Sequence, residues 1–345
     1  MRARAAARAH QHPHAARGGR CDGELPPMRF SRLLTTVDAH CGGEPLRIIT
    51  GGLPPLPGDS ILARRRYMRA HLDHVRQVLM YEPRGHHGMY GAVLTPPCTP
   101  GSDLGILFMH NEGYSTMCGH GVIAAVTALL ETGMLERPGP EAEVVLDSPA
   151  GVIRARAAWD GDRVASVRFE NVPSFLVERD VPLTLADGRA AKADLAYGGA
   201  FYAFVEEDLG DLGRLQALQP AIRGRFADVR HPLEPEIAGL YGAIFTEGRR
   251  NVCVFADRQI DRSPCGTGTA ARVAQQVARG ELAMGEAFPH ESVTGAVFVG
   301  RALRTAQVGP YAAVVPEVEG SAHITGFHQF VVDPVDPLGQ GFLLR

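Results

Sequence analysis

Met117-Cys118-Gly119-His120-Gly121 opens an apolar run that ends at Glu131-Thr132-Gly133, and Pro264-Cys265-Gly266-Thr267-Gly268 opens a second run that ends at Arg279-Gly280-Glu281. In each place a β-like stretch leads into a turn, and Cys-Gly-x-Gly then begins a segment with helical character. The two cysteines stand 147 positions apart, about the length of one domain. This weak internal repeat predicts two similar halves facing each other, with two helix N-termini, each carrying a thiol, on either side of one cleft.

The chemistry of such an arrangement follows from the helix ends. Free backbone N–H groups and the macrodipole stabilise an anion there, so a thiol is expected to titrate below its usual value of about 8.5. The neighbouring glycines let the backbone approach a ligand closely, so the same N–H groups can grip a carboxylate. A carboxylate held by both helix ends, with one sulfur on each face of its α-carbon, is placed for proton removal on one side and return on the other. Taken singly, a cysteine at an apolar helix start reads as a small buried hydrophobe, and it is the repeat that lifts this pair above that reading. Zinc on Cys118 and His120 fits poorly, because the two are only two positions apart and Thr267 stands where the second copy needs its histidine. No metal is assigned. Cys41, Cys98 and Cys253 have no echo elsewhere and read as packing residues, and His86-His87 reads as a loop pair.

Working outward, the chain has 345 residues, a net charge of -3, 45% hydrophobic and 21% charged residues, which suits a globular protein of two domains. Its longest apolar stretch, Gly121 to Leu130, is far short of the roughly 18 residues a membrane helix needs. The near-neutral charge gives no footprint for nucleic acid. Lys192 is the sole lysine, in a polar stretch from Asp187 to Asp194, which excludes a P-loop and argues against a pyridoxal Schiff base. Six cysteines without a Cys-x-x-Cys pair are expected to stay reduced in a cytoplasmic protein. Residues 1–27 are rich in Arg, Ala and His, have no acid before Asp22, and read as a disordered extension ahead of Met28.

From Phe30 onward short β-like runs alternate with glycine and proline: Leu33 to Val37, Leu46 to Thr50, Gly91 to Thr95, Leu104 to His110, Val144 to Leu146, Val152 to Ala155 and Val164 to Phe169. The second half adds Ala200 to Val205, Val252 to Phe255, Val293 to Phe298 and Ala312 to Pro316. Ile61 to Leu79 reads as one arginine-studded amphipathic helix, and Gly119 to Glu131 and Gly266 to Arg279 as the two repeat helices. The fold class expected is α+β and rich in sheet.

Several stretches together carry a family resemblance: Asp38-Ala39-His40-Cys41-Gly42-Gly43-Glu44-Pro45, Glu82-Pro83-Arg84-Gly85-His86, Asn111 through Gly121, Asp194 through Tyr202, Asp261 through Thr269, and Glu291-Ser292-Val293-Thr294-Gly295. On these the chain, from about Met28 to its end, resembles the proline racemase family, which includes hydroxyproline 2-epimerases and trans-3-hydroxy-L-proline dehydratases. Two positions depart from the usual pattern: Cys41 stands where a small hydroxyl residue is more common, and Gly88 where an Asp usually precedes Met89-Tyr90.

The resemblance implies a diaminopimelate-epimerase-like fold, two pseudo-symmetric halves each with a central helix wrapped by sheet, and a site in the cleft between them. The division expected is 28–166 with 323–345 as the half carrying Cys118, and 167–322 as the half carrying Cys265. It implies Cys118 and Cys265 as the acid/base pair, the amides of Gly119, His120, Gly266 and Thr267 on the carboxylate, and Asp261 with the His120 side chain on the ring nitrogen. Asp261 also reads as a loop-structuring residue. No cofactor is expected, since a secondary amine forms no ordinary aldimine. The expected partner is proline or a hydroxyproline, without nucleic acid or membrane, and a homodimer is a possible assembly. A thiol at both positions favours racemisation or 2-epimerisation. The His110-to-Ser115 flank resembles the dehydratase branch, so loss of the 3-hydroxyl as water is the alternative.

Overall fold

Glycine and proline mark many of the turns between short strands, though both also lie inside longer elements, as Gly300 does in Val297–Val308 and Pro316 in Tyr311–Gly320. The computed structural model describes residues 31–344, so the expected extension at 1–27 lies outside the described residues. The first half of the described chain holds β1 (Arg32–Cys41), β2 (Glu44–Gly51), α1 (Ile61–His71), α2 (Asp73–Met80), β3 (Tyr90–Thr95), β4 (Leu104–His110), β5 (Gly113–Ser115), α3 (Gly119–Glu131), β6 (Glu141–Ser148), β7 (Gly151–Asp160) and β8 (Arg163–Glu170). There follow β9 (Ser174–Thr184), β10 (Ala190–Tyr197), β11 (Phe201–Glu206), α4 (Leu212–Arg225), β12 (Leu240–Glu247), β13 (Arg250–Phe255), β14 (Gln259–Asp261), α5 (Gly266–Arg279), β15 (Phe288–Glu291), β16 (Val297–Val308), β17 (Tyr311–Gly320) and β18 (Ala322–Val332).

The pairing repeats itself. β1 lies antiparallel between β18 and β2, β2 runs parallel to β3, β3 antiparallel to β4, and β4 parallel to β6, from which β7 and β8 follow antiparallel. In the same succession β10 lies between β9 and β11, β11 runs parallel to β12, β12 antiparallel to β13, and β13 parallel to β15, followed by β16 and β17. The C-terminal β18 therefore fills the place beside β1 that β9 fills beside β10. β17 pairs with both β8 and β9 and ties the two sets together. β8 continues through residue 166 without a break.

Each set wraps one helix. Every residue of α3 from Gly119 to Leu130 is buried, against β1, β2, β8 and β18. α5 is buried from Gly266 to Gln276 except at the half-buried Arg272, against β9, β10, β16 and β17, and only its last turn reaches the surface. Fully burying each Val, Ile or Leu of α3 contributes roughly 1.5–3 kcal/mol, so the placement of its N-terminus is firmly held. No helix among the described residues is long and apolar enough to cross a membrane.

Two expectations need correction, and one element was not expected. The single helix over Ile61 to Leu79 is two, because Leu72 leaves helical geometry (φ -126°, ψ 15°) and Asp73 starts a new turn by pairing with Arg76 at 2.7 Å. Val293 to Phe298 is not one strand: residues 292–296 form a turn closed by Ser292 N–H donating to the Ala296 carbonyl, with Gly295 at φ +77°, and β16 begins after it. α4 has no expected counterpart, since Pro220 lies inside it and its apolar residues make no clear stripe.

Candidate active site

Cys118 is the N-cap of α3 and Cys265 the N-cap of α5. The helices meet end to end at their glycines: a Cβ on Gly119 would lie 2.4 Å from the Gly266 Cα, and one on Gly266 equally close to the Gly119 Cα. Only glycine permits this backbone-to-backbone approach. A second glycine pair backs α5, for a Cβ on Gly198 would fall 2.3 Å from the Thr267 carbonyl oxygen, and Gly199 takes a φ of +104°.

Both thiols face one narrow cavity with free space of only about 10 Å³, lined also by Tyr90, Met117, His120, Tyr202, Tyr241, Phe255, Asp261 and Thr267. Cys118, Cys265, His120, Thr267 and Asp261 are all buried. A larger cleft, lined by Arg65, Arg69, Arg76 and Arg223, adjoins it and shares Tyr241, but holds neither thiol. The first-turn N–H groups at Gly119, His120, Gly266 and Thr267 have no intrahelical acceptor, by the geometry of any helix start. Two such ends meeting at one cavity make a site for an anionic group.

The two sulfurs are set differently. Cys118 Sγ accepts a hydrogen bond from the Gly121 N–H at 3.3 Å and lies 3.2 Å from His120 Nδ1. Burial drives the His120 pKa down to about 3, so the ring is neutral, and it donates to the Pro45 carbonyl. With its proton on that side, the nitrogen facing Cys118 is left as an acceptor. The expectation of a lowered thiol pKa is reversed at Cys118. Burial pushes it well up, and the Gly121 N–H pulls the other way without matching that effect.

Cys265 sits in left-handed backbone geometry (φ +64°), uncommon outside glycine, and has no side-chain cap bond. Its turn is held by Asp261 and Ser263. Asp261 Oδ1 accepts from the Ser263 N–H at 2.9 Å and from Ser263 Oγ at 2.7 Å, and Ser263 Oγ accepts from the Cys265 N–H at 3.1 Å. Asp261 thus has the loop-structuring contacts read as one alternative from sequence, while also lining the cavity. Tyr202 Oη lies 3.6 Å from Cys265 Sγ and 2.6 Å from Thr267 Oγ1.

Beneath Asp261 lies a buried ionic group that sequence reading missed. Glu44 is fully buried, accepts from the Arg262 N–H at 2.9 Å and pairs with its guanidinium at 3.1 Å, and leaves Oε1 without a partner. Burial, then the nearby Asp261 charge, pushes the Glu44 pKa up to about 8. Burial likewise raises Asp261 to about 6. The departure at Gly88 belongs to this group. A Cβ there would lie 2.8 Å from the Arg262 guanidinium, which donates to the Gly88 carbonyl. Arg262 occupies the space of the usual Asp side chain.

Of the residues expected at the site, Cys118, Gly119, His120, Asp261, Cys265, Gly266 and Thr267 all line the cavity. Sequence reading missed its aromatic wall. Tyr90 and Tyr202 lie within or beside the quoted stretches and carried a signal, whereas Tyr241 and Phe255 sit in ordinary strands. Cys253, read as a packing residue, lies within 4.8 Å of both Cys265 Sγ and the Asp261 carboxylate.

The family model described as "Proline racemase" matches residues 36–343. The trans-3-hydroxy-L-proline dehydratase of Bacillus cereus is 51% identical over 334 residues, covering 92% of this chain and all of that protein. The 3-hydroxyproline 2-epimerase of Burkholderia multivorans is 49% identical over 335 residues, with the same coverage. Among solved structures, a hydroxyproline epimerase of Agrobacterium vitis with bound trans-4-hydroxy-L-proline superposes with a TM-score of 0.87 at 31% identity, covering 92% of this chain and 96% of that one. The α+β, diaminopimelate-epimerase-like fold expected above is the fold observed.

Proposed function

The chain is an enzyme of the proline racemase family, and from that premise we propose that it inverts the α-carbon of a hydroxyproline by exchanging protons between Cys118 and Cys265 without a cofactor. The observation that carries this is the pair of thiols on two abutting helix N-termini lining one narrow cavity. The substrate carboxylate sits on the N–H groups of Gly119, His120, Gly266 and Thr267, and the ring nitrogen lies toward Asp261 and His120.

In the forward step one cysteine, as thiolate, takes the α-proton. The electron pair left on the α-carbon is stabilised through the carboxylate by both helix ends. The opposite thiol then delivers its proton to the other face, so one C–H bond breaks, another forms, and the thiolate changes sides. His120, neutral and with an acceptor nitrogen 3.2 Å from Cys118 Sγ, positions that thiol. The aromatic wall excludes water from the carbanion.

A second reading is favoured by the name shared by several close relatives, trans-3-hydroxy-L-proline dehydratase. There one thiolate takes the α-proton, the C3–O bond breaks, and the hydroxyl leaves as water after gaining a proton. The product is an enamine that tautomerises to the cyclic imine. Both readings share α-proton abstraction, so a 3-hydroxylated ring is the first substrate to offer. Incubation with trans-3-hydroxy-L-proline, trans-4-hydroxy-L-proline and L-proline, followed by proton NMR, separates them. Inversion should give a 2-epimer with its hydroxyl retained. Imine formation from the 3-hydroxy substrate, with no epimer from any of the three, would replace the first reading by the second.

A further inference from the structure

Cys253 has no part in the reaction proposed above and does not line the cavity, yet the fold brings it to Cys265. β13 and β14 are antiparallel with Cys253 directly opposite Asp261, so the two side chains stand next to each other on one face. The turn through Ser263 folds back over that face and sets Cys265 above it. The two Sγ atoms and a carboxylate oxygen of Asp261 all lie within 4.8 Å of one another, and all three residues are buried.

Two thiols and a carboxylate are a donor set for a thiophilic divalent cation. Zinc takes sulfur at about 2.3 Å and carboxylate oxygen at about 2.0–2.2 Å in a tetrahedron. The donor atoms of such a tetrahedron are less than ~4 Å apart, so a small side-chain rotation closes these three onto one ion. The fourth position faces the cavity, since Cys265 and Asp261 both line it.

The corresponding place in the first half lacks the set. On β4 and β5 the residue pair before Cys118 is Phe108 opposite Ser115. We propose that Cys253, Asp261 and Cys265 form a binding site for a zinc-like cation that captures Cys265 and shuts the enzyme reversibly, leaving Cys118 free. Binding displaces the proton of each thiol, so one divalent ion enters as two protons leave. The inhibition, though not the site, rests on Cys265 being one of the two bases.

Cadmium chloride, added to chelator-treated protein, serves as the probe because thiolate-to-cadmium charge transfer absorbs in the ultraviolet. The first equivalent should give a band worth two thiolates and protect Cys265, but not Cys118, from iodoacetamide as read by peptide mass spectrometry. Cys253→Ala should keep basal turnover, lose about half of that band, and weaken cadmium or zinc inhibition by about tenfold or more. Cys253→Ser, closer in size, gives the same comparison if the alanine variant folds poorly. An unchanged band and unchanged inhibition in both variants would overturn the site. Binding with protection of Cys265 but undiminished turnover would uphold the site and overturn Cys265 as a base.

Discussion

Glu44 shows how one buried side chain couples the site to pH. Its folded pKa is raised from 4.5 to about 8, so the folded state prefers the protonated form. Its contribution is therefore most favourable below about pH 4.5 and is lost progressively as pH rises toward 8, above which it is constant. Glu44→Gln keeps an acceptor for Arg262 and removes the titration. Urea unfolding at pH 5 and pH 8.5 should show the wild type losing stability relative to the variant across that interval. Parallel behaviour of the two proteins would mean that Glu44 is ionised throughout. The pairing with Arg262 was not legible in the sequence, because it joins the start of β2 to the segment before α5 across 218 positions. Cys118 and Cys265 were legible because each is flagged by its own glycines.

At the scale of elements, the meeting of α3 and α5 rests on two glycines rather than on side-chain packing. Gly119→Ala or Gly266→Ala puts a methyl group where the partner backbone stands 2.4 Å away, and backbone cannot rotate aside. Either variant should separate the helix ends and lower turnover by about 100-fold, in keeping with the cost of about 1 Å of misplacement at a reacting centre. Circular dichroism should stay native, since the buried length of α3 is untouched. Activity within about tenfold of wild type would show that the helix ends need not touch. Both helices could be read from the Cys-Gly-x-Gly starts and from their stops at Gly133 and Gly280. The break at Leu72 and the turn at 292–296 could not, because each is set by a local hydrogen bond or ion pair inside a run whose hydrophobic pattern continues through it.

For the whole molecule, the repeat of about 147 residues predicted two facing halves, and the strand pairing repeats in the same order around each helix. What stayed unread is the two edge strands themselves, β9 and β18, although the expected division did return 323–345, nearly all of β18 included, to the half carrying Cys118. Those strands carry exposed and intermediate residues over much of their length, so their hydrophobic signal is weak. The central claim is that the two sulfurs serve opposite faces of one α-carbon. Its most direct test is deuterium at that carbon, followed by NMR at low conversion in D2O with whichever substrate turns over, for wild type, Cys118→Ser and Cys265→Ser. In the wild type the inverted product should carry deuterium at the α-carbon while recovered substrate keeps its hydrogen. Each serine variant should lose inversion by several orders of magnitude, since an unactivated hydroxyl is a poor base near neutral pH. Inversion within about tenfold of wild type in either variant, or product that retains the substrate hydrogen, would contradict the account.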